Sequence, residues 1–312
     1  MVDILFLADR ATRAAYADLL PAALAGLGID ARIMARTDAP RQVDYIIYAP
    51  GDDTPDDFTP FTSCKAVLGL WAGVEQIVGN PTLTMPLCRM VDAGLTEGMV
   101  EWVTGHVLRH HLGLDLHIHG QDGVWRQDVA PPLARDRHVT ILGLGALGAA
   151  CGAMLAHLGF PLTGWSRSQK ALPNMTCLAG ADGLIEALRG ADILVLLLPL
   201  TPRTRHVIDA GALAELPKGA VILNPGRGAL IEDAALLTAL DRGHIGHATL
   251  DTFATEPLPA AHPFWAHPGV TVTPHIASTT RPDTAARAIA RNIAGHESGA
   301  PLENLVNRDR GY

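Results

Sequence analysis

The sequence predicts an α/β fold built from two doubly wound, parallel-sheet domains. In residues 1–90, short apolar runs alternate with helix-like stretches, which is the pattern of βαβ units. The alternation returns at Val139–Leu142, where a β-branched run precedes three glycines spaced G-x-G-x-x-G and a stretch rich in Ala and Leu. A chain of 312 residues is long enough for two such domains.

The individual elements follow from hydrophobic periodicity and from breaker residues. Strands are predicted at Ile4–Ala8, Ala31–Ala35, Tyr45–Ala49, Ala66–Leu70, Leu83–Cys88, Val139–Leu142, Leu162–Trp165, Ile193–Leu198, Ala220–Asn224, His247–Leu250 and Val270–Thr273. Helices are predicted at Ala11–Leu27, about Gly94–His119, Ala149–Leu158, Asp182–Arg189, Asp209–Leu216, Glu232–Arg242 and about Arg281–Ser298. The acidic loop at residues 51–57 is expected to be exposed.

Composition excludes several classes of function. Hydrophobic residues make up 48% of the chain and charged residues 18%, as in a folded globular protein. The net charge is −8 and no run is rich in Lys and Arg, so no nucleic-acid partner is expected. The longest strongly apolar run, Ile193–Leu198, is far too short to span a bilayer, so no membrane partner is expected.

The cysteines and histidines indicate a reducing compartment and no metal. The cysteines are scattered and form no C-x-x-C pair, as is typical of reduced thiols in the cytoplasm; they are Cys64, Cys88, Cys151 and Cys177. The N-terminal residues 1–8 are expected to form a first strand and not a signal peptide. The histidines of residues 106–119 include an i, i+4 pair, but no Cys or acidic partner completes a ligand pattern, so no metal is predicted.

Gly143, Gly145 and Gly148 stand between a predicted strand and a predicted helix. The first glycine allows a tight turn, the second lets the backbone approach a phosphate, and the third lets helix and strand pack closely. The helix N-terminus adds N–H groups and a partial positive charge. We therefore predict a pyrophosphate site for a dinucleotide, with a plain tight turn as the alternative.

Arg227, Glu256 and His275 each follow a predicted strand downstream of that turn. An arginine can grip a 2-oxoacid carboxylate through two hydrogen bonds and polarise its ketone. A histidine can donate the proton that a nascent alkoxide needs, and a carboxylate beside it orients the ring and stabilises its protonated form. Any one of the three could be an ordinary loop residue, but together they predict carbonyl reduction by a cofactor hydride.

Eight stretches, distributed over the whole chain, are similar in sequence to the motifs of one enzyme family. They are Leu70-Trp-Ala-Gly-Val-Glu, Ile141-Leu-Gly-Leu-Gly-Ala-Leu-Gly, Trp165-Ser-Arg-Ser, Leu198-Pro-Leu-Thr-Pro-Arg-Thr, Asn224-Pro-Gly-Arg-Gly, Leu250-Asp-Thr-Phe-Ala-Thr-Glu-Pro-Leu-Pro, Thr273-Pro-His-Ile-Ala and Arg308-Asp-Arg-Gly-Tyr. In these motifs the chain resembles the D-isomer-specific 2-hydroxyacid dehydrogenases, most of all their glyoxylate/hydroxypyruvate reductase A branch.

The resemblance implies roles for single residues. Arg227, Glu256 and His275 match the family's catalytic set. The family binds the substrate carboxylate through backbone N–H groups of a loop that Trp71, Ala72 and Gly73 match here, together with the catalytic arginine. The family's aspartate that contacts the nicotinamide carboxamide is matched by Asp251.

The resemblance also implies a domain layout that the sequence pattern leaves open. A Rossmann cofactor domain at residues 96–279 would be inserted in a flavodoxin-like substrate domain made of residues 1–95 and 280–312. The long helix from Gly94 would support a homodimer interface.

The residues after the second strand of the cofactor domain bear on cofactor choice. An NAD enzyme usually has Asp or Glu there to accept from the ribose 2′-OH, whereas this segment has hydroxyl and basic side chains that suit a 2′-phosphate. We therefore expect a preference for NADP(H), with NAD(H) still possible. The expected cofactor-binding residues are Gly143, Gly145, Ala146, Leu147, Gly148, Ser166, Arg167, Ser168, Lys170, Leu198, Pro199, Pro225, Gly226 and Asp251.

The chain departs from the family motifs at positions that bear on the identity of the substrate and not on the type of reaction. Pro225 and Gly226 precede Arg227 where the family usually has an alanine or similar residue, Trp71 stands where a smaller residue is commoner, and Glu75 stands where Asp is usual. A small 2-oxoacid such as glyoxylate or hydroxypyruvate is expected by analogy. The alternatives are another substrate on the same scaffold, or a dinucleotide-sensing regulatory module without turnover.

Overall fold

The computed structural model describes residues 1–51 and 56–312, which form two compact units. One unit comprises Met1–Leu95 and Thr280–Tyr312, and the other comprises Thr96–Thr279. Most of the acidic loop that we expected to be exposed lies outside the described residues.

The first unit is built on a five-stranded parallel sheet with the order β2-β1-β3-β4-β5. Its strands are β1 (Val2–Leu7), β2 (Ala31–Met34), β3 (Tyr45–Tyr48), β4 (Ala66–Gly69) and β5 (Leu87–Cys88). The three central strands are buried at nearly every position, as expected for a parallel sheet covered on both faces. This order is the flavodoxin-like one, which confirms the predicted fold class for this unit.

Two predicted helices are each interrupted. The stretch predicted as one helix over Ala11–Leu27 forms α1 (Arg10–Tyr16) and α2 (Leu19–Gly26), because Pro21 lacks an N–H group and fits only the first turn of a helix. The predicted long helix is likewise split into two helices.

The second break lies at Gly113. Helix α3 (Ala93–His111) ends before this glycine, which adopts a left-handed φ of 63°, and α4 (Leu114–His119) follows. Glycine takes this conformation without a steric penalty, so the chain changes direction where the helical pattern alone predicted continuity.

The second unit contains a seven-stranded parallel sheet with the order β12-β11-β10-β9-β6-β7-β8. Its strands are β6 (Val139–Leu142), β7 (Leu162–Ser166), β8 (Thr176–Ala179), β9 (Ile193–Leu196), β10 (Ala220–Asn224), β11 (Ile245–Leu250) and β12 (Val270–Val272). Its further helices are α5 (Ala146–His157), α6 (Gly180–Arg189), α7 (Ala210–Glu215) and α8 (Asp233–Asp241). Strand order reverses direction between β6 and β9, so ligands are expected beyond the carboxyl ends of these two strands.

The sheet of the second unit is covered on both faces. Met99, Val103 and Val107 of α3 pack with Val139 and Ile141 of β6 on one face. A separate apolar cluster that includes residues of α6, α7 and α8 covers the other face. Both faces being apolar explains why β6, β9 and β10 are buried at every position.

Strand β8 was not predicted from the sequence. It lies at the edge of the sheet, and its residues are partly exposed or fully exposed. An edge strand of this kind lacks the continuous apolar run by which the central strands are recognised.

The chain returns to the first unit at its end. Helix α9 (Pro282–Glu297) packs against α1 and α2, and its buried face includes Ala286, Ile289 and Ile293. Among the helices of residues 1–51 and 56–312, none combines the length and the apolar character needed to cross a bilayer.

Candidate active site

The turn after β6 requires glycine at two positions for reasons internal to the chain. Gly143 has a φ of +109°, and a Cβ atom there would lie 2.4 Å from the carbonyl oxygen of Leu197. A Cβ atom on Gly148 would lie 1.8 Å from the carbonyl oxygen of Gly143. These two glycines let the turn form and let α5 pack against β6.

Gly145 differs, because a Cβ atom there would meet no described protein atom within 4 Å. Gly145 is the N-cap of α5, and the N–H groups of Ala146, Leu147 and Gly148 in the first turn have no partner within the helix. The space beside Gly145 therefore suits a group that approaches the backbone closely. The turn fits the pyrophosphate of a dinucleotide.

The segment after β9 lies against the same turn. The Cβ position of Gly143 is 2.9 Å from the nitrogen of Leu198, so Leu198 and Pro199 border the glycine turn. Thr204 donates from its hydroxyl to the carbonyl of Pro199 at 2.7 Å and accepts from the N–H of Thr201 at 2.8 Å. Thr204 thus fixes the shape of this loop.

The loop after β7 has no acidic side chain between residues 165 and 170. Ser166 donates from its hydroxyl to the carbonyl of Ser168 at 2.8 Å, and Gln169 donates to the carbonyl of Cys177 in β8 at 2.8 Å. Arg167 and Lys170 are exposed. The loop is therefore held in shape while its basic groups face solvent, which suits recognition of an anionic group.

His275 and Glu256 form a direct hydrogen bond across two loops. Nδ1 of His275 lies 2.7 Å from Oε2 of Glu256, and the other carboxylate oxygen accepts from the N–H of Phe253 at 2.8 Å. An ionised carboxylate only accepts, so the bond places a proton on Nδ1. Within residues 1–51 and 56–312, Nε2 of His275 has no hydrogen-bond partner, so it can face a reacting group.

The loop that carries His275 is held by Asp251. Asp251 is fully buried, and its carboxylate accepts from the hydroxyl of Thr273 at 2.6 Å, the N–H of Ile276 at 2.9 Å and the N–H of Ala277 at 3.0 Å. Its carbonyl accepts from the N–H of His275 at 2.8 Å. These bonds support a left-handed φ of 55° at His275. This backbone conformation costs a residue with a side chain about 1–2 kcal/mol relative to the right-handed one.

Arg227 lies on a tight loop that closes on itself. The buried Asn224 donates from Nδ2 to the carbonyl of Arg227 at 3.0 Å, and its Oδ1 accepts from the N–H of Gly226 at 3.2 Å. Arg227 itself donates from Nη1 to the carbonyl of Gly226 at 2.7 Å. The loop thus presents the guanidinium beyond the carboxyl end of β10.

The structure adds residues that we did not predict as functional. Asn224, Thr204, Thr273 and the N–H of Phe253 each hold a predicted site residue or its loop. The Asn-Pro-Gly sequence at Asn224 is typical of a turn in which the asparagine side chain forms hydrogen bonds to the nearby backbone. The role of Asn224 in shaping the loop could therefore have been predicted from the sequence. Nothing in the sequence indicates that a backbone N–H orients Glu256.

In the first unit, the loop at Trp71, Ala72 and Gly73 follows β4. Met90 donates from its N–H to the carbonyl of Trp71 at 2.9 Å, and Thr280 donates from its hydroxyl to the carbonyl of Leu70 at 2.9 Å. In the part of the chain that the structure describes, the N–H groups of Ala72 and Gly73 have no acceptor. Successive unpaired N–H groups form a concavity that suits an anion.

The histidines of α3 pack among themselves and their neighbours. The rings of His110 and His247 lie 4.9 Å apart, and Nε2 of His110 lies 2.9 Å from the hydroxyl of Thr249. Burial lowers the pKa of His110 to about 3 and that of His247 to about 4. Among the described residues, no group of three or more His, Cys, Asp and Glu side chains is arranged to hold a metal ion.

Comparison with known proteins identifies the family. The model described as "D-isomer specific 2-hydroxyacid dehydrogenase, NAD binding domain" matches residues 106–277. Glyoxylate/hydroxypyruvate reductase A of Yersinia enterocolitica is 37% identical over 260 residues, which cover 80% of this chain and 82% of that protein. The chain belongs to the D-isomer specific 2-hydroxyacid dehydrogenase family, as its motifs predicted.

Solved structures agree with this assignment. A D-isomer specific 2-hydroxyacid dehydrogenase from Xanthobacter autotrophicus in complex with NADPH and MES is 39% identical, has a TM-score of 0.90, and covers 100% of this chain and 99% of its own. An NADPH-dependent glyoxylate/hydroxypyruvate reductase from Sinorhizobium meliloti in complex with NADP and sulfate is 34% identical, with a TM-score of 0.84 and coverages of 100% and 99%. The predicted fold class and the prediction of an NAD(P)-dependent 2-hydroxyacid dehydrogenase are confirmed.

Proposed function

We propose that this protein reduces small 2-oxoacids, glyoxylate and hydroxypyruvate among them, to 2-hydroxyacids with NADPH. The observation that carries the proposal is the 2.7 Å contact between His275 and Glu256, which leaves Nε2 of His275 able to act as a proton donor. A regulatory module that only senses the dinucleotide would not need this pair.

The proposed reaction consumes one hydride and one proton. The nicotinamide cofactor supplies the hydride when bound. His275 donates the proton from Nε2 to the carbonyl oxygen of the substrate, and the Glu256 carboxylate stabilises the imidazolium form from which that proton is given. Arg227 binds the substrate carboxylate and polarises the ketone through its guanidinium.

We also propose that the loop at Trp71, Ala72 and Gly73 binds the substrate carboxylate through its backbone N–H groups. The observation that supports carboxylate binding at this loop is that the N–H groups of Ala72 and Gly73 lack an acceptor among the described residues. Trp71 of this loop is 43% exposed, and we propose that its bulk limits the length of the substrate chain.

We propose that the protein prefers NADPH to NADH as its cofactor. Two of the solved relatives contain NADPH or NADP, and the loop of Ser166, Arg167, Ser168 and Lys170 carries no acid to repel a 2′-phosphate. The remaining proposed contacts of the cofactor are with the turn at Gly143–Gly148, with Leu198 and Pro199, and with Pro225, Gly226 and Asp251.

The test is a panel of 2-oxoacids assayed by the absorbance of NADPH at its nicotinamide band. We expect turnover with glyoxylate and hydroxypyruvate, and little with long or branched 2-oxoacids. His275→Ala should lose most turnover, on the order of a thousandfold, while NADPH still binds. Lack of turnover with every 2-oxoacid would contradict the proposal and favour the regulatory alternative.

We further propose that the protein is a homodimer that uses the segment 112–133. This part of the second unit exposes a run of large apolar side chains, namely Leu112, Leu114, Leu116, Ile118, Val124, Trp125, Val129 and Leu133. Exposed apolar patches of this kind mark interaction surfaces, and Trp125 is 87% exposed. We expect light scattering to give the dimer mass for the wild type and a monomer for Trp125→Asp; a wild-type monomer would contradict the proposal.

The compartment we propose is the cytoplasm. All four cysteines are free thiols, and three of them are buried, as is typical of proteins that fold under reducing conditions.

A further inference from the structure

Gly228 lies where two loops of the second unit touch. One loop carries Arg227 and the other carries Glu256. A Cβ atom on Gly228 would fall 1.9 Å from the carbonyl carbon of Phe253, 2.3 Å from its Cα and 2.3 Å from the nitrogen of Ala254. All three are backbone atoms, so no side-chain rotation can make room for a larger residue.

The need for glycine at this position comes from space and not from backbone conformation. Gly228 is not among the residues with a positive φ, so any residue could adopt its backbone angles. By contrast, Gly143 combines close contact with a φ of +109°. Gly228 is therefore a contact point between two main chains.

The peptide that Gly228 touches leads directly to the proton-transfer pair. Phe253, whose backbone lies against Gly228, donates its N–H to Oε1 of Glu256 at 2.8 Å. The other oxygen of Glu256 lies 2.7 Å from Nδ1 of His275. A displacement of Phe253 would thus be passed to Glu256 and from there to His275.

The same two loops are also joined where they begin. The carbonyl of Asn224 accepts from the N–H of Asp251 at 3.0 Å and from the hydroxyl of Thr252 at 3.4 Å. The separation of the loops is therefore fixed by hydrogen bonds at their start and by the Gly228 contact further along.

We propose that Gly228 is a positioning residue that sets the spacing between Arg227 and the Glu256–His275 pair. The inference rests on the proposed reductase function, because it assumes that these three side chains act on one substrate. A side chain at Gly228 separates the two loops and lowers turnover, while the protein continues to bind the cofactor.

The size of the expected fall in kcat follows from the contact distances at Gly228. In Gly228→Ala the new Cβ must move from 1.9 Å to at least 3.4 Å from the carbonyl carbon of Phe253, so the loops separate by about 1.5 Å. A misplacement of about 1 Å already lowers turnover by about a hundredfold, so we expect a loss of at least that size in kcat. The glycine turn at Gly143–Gly148 follows a different strand. The proposed cofactor contacts at Pro225, Gly226 and Asp251 lie at the start of the two loops, where hydrogen bonds to the Asn224 carbonyl hold them. We therefore expect NADPH affinity to fall much less than kcat, which distinguishes a change in turnover from a loss of cofactor binding.

The experiment compares Gly228→Ala with Gly190→Ala. Gly190 lies in the same unit, has a φ of −92°, and a Cβ there would meet nothing within 4 Å, so its variant should keep wild-type kcat. The measurements are kcat and KM for glyoxylate, the dissociation constant of NADPH, and a crystal structure of the variant. A double-mutant cycle with Glu256→Gln tests whether Gly228 acts through Glu256, because the effects of mutations at residues that act as a unit are not additive.

The expected result is a widened gap between Gly228 and Phe253, a large fall in kcat, and a much smaller further fall when Gly228→Ala is added to Glu256→Gln. An unchanged gap, an unchanged kcat, or fully additive effects would overturn the proposal. Lack of turnover in the wild type would instead contradict the proposed function, and the crystal structure would still decide whether Gly228 sets the spacing.

If Gly228→Ala does not fold, Asn224→Ser tests the same spacing. This change removes the side-chain bond from Asn224 to the carbonyl of Arg227 and so loosens the Arg227 loop without adding bulk. We expect kcat to fall by about fivefold, which is the change in rate that corresponds to the loss of one hydrogen bond of about 1 kcal/mol, and we expect this effect to be non-additive with that of Glu256→Gln. An unchanged kcat in this variant would overturn the proposal.

Discussion

His275 and Glu256 are joined by a bond of 2.7 Å between Nδ1 and Oε2, although 18 residues separate them in sequence. The bond decides which ring nitrogen carries the fixed proton, and it leaves Nε2 without a partner among the described residues. Phe253 donates its N–H to the second carboxylate oxygen at 2.8 Å, so a backbone group helps to orient Glu256.

Glu256→Gln should lower kcat by about 10²-fold, because an amide cannot stabilise the imidazolium form as a carboxylate does. NADPH affinity should not change. Steady-state kinetics and a fluorescence titration of NADPH measure the two quantities. Glu186→Gln, on the exposed face of α6, is the matched control, and equal kinetics in both variants would contradict the assigned role of Glu256.

Asp251→Asn should destabilise the loop of His275. The carboxylate accepts three hydrogen bonds, and an amide group would turn a donor toward at least one N–H, at a loss of about 1–3 kcal/mol. We expect a lower free energy of unfolding in urea and a lower kcat, while the exposed Asp182→Asn changes neither. Retention of full stability would show that the three bonds contribute little.

Gly145→Ala tests the pyrophosphate site without disturbing the fold. A Cβ at this position meets no described protein atom within 4 Å, and an alanine in place of an N-cap glycine costs only about 1 kcal/mol. We expect the dissociation constant of NADPH to rise at least about tenfold, because the methyl group occupies the space where backbone and phosphate must approach. Calorimetry measures it, and an unchanged affinity would place the phosphates elsewhere.

Arg167→Ala should reduce the preference for NADPH over NADH. Loss of one hydrogen bond to a charged phosphate lowers binding by about 1.5–3 kcal/mol, or roughly 10- to 100-fold, for NADPH only. The ratio of kcat/KM for the two cofactors is the measurement, and Arg189→Ala in α6 of the same unit is the control. If the ratio is the same in both variants, Arg167 does not recognise the phosphate.

Acid should destabilise the protein through the histidines of α3 and β11. Burial is the main cause that lowers the pKa of His110 from 6.5 to about 3, and the neighbouring His247 and Arg109 act in the same direction. As pH falls from 6.5 toward 3, the unfolded chain binds a proton that the folded chain does not, so stability is lost by up to about 1.4 kcal/mol per pH unit for each such group. Above pH 6.5 this contribution to the pH dependence is absent.

The check is the free energy of unfolding at several pH values between 7.5 and 4.5. His110→Gln removes one titrating group, so we expect a shallower decline than in wild type, whatever its absolute stability. His157→Gln, at an exposed position of α5, should leave the slope unchanged. A slope that is the same in all three proteins would exclude His110 as a source of acid sensitivity.

The sequence predicted most of the central strands, because strands buried on both faces are continuous or nearly continuous apolar runs, as Ile193–Leu196 is. It missed β8 at the sheet edge and joined α1 to α2 and α3 to α4. Edge strands carry a weak pattern, and the break at Gly113 depends on one left-handed residue within an otherwise helical stretch. The assignments of single site residues stay predictions that the experiments above decide.

By itself, the sequence determined the α/β class, the glycine turn at Gly143–Gly148 and the residue types available for carbonyl reduction, because these depend on local patterns of a few residues. Only the tertiary structure decided that Glu256 bonds His275, that Asp251 holds the loop of His275, and that Gly228 contacts Phe253. Those contacts join the ends of different parallel strands, which the sheet order brings together and which no local pattern specifies.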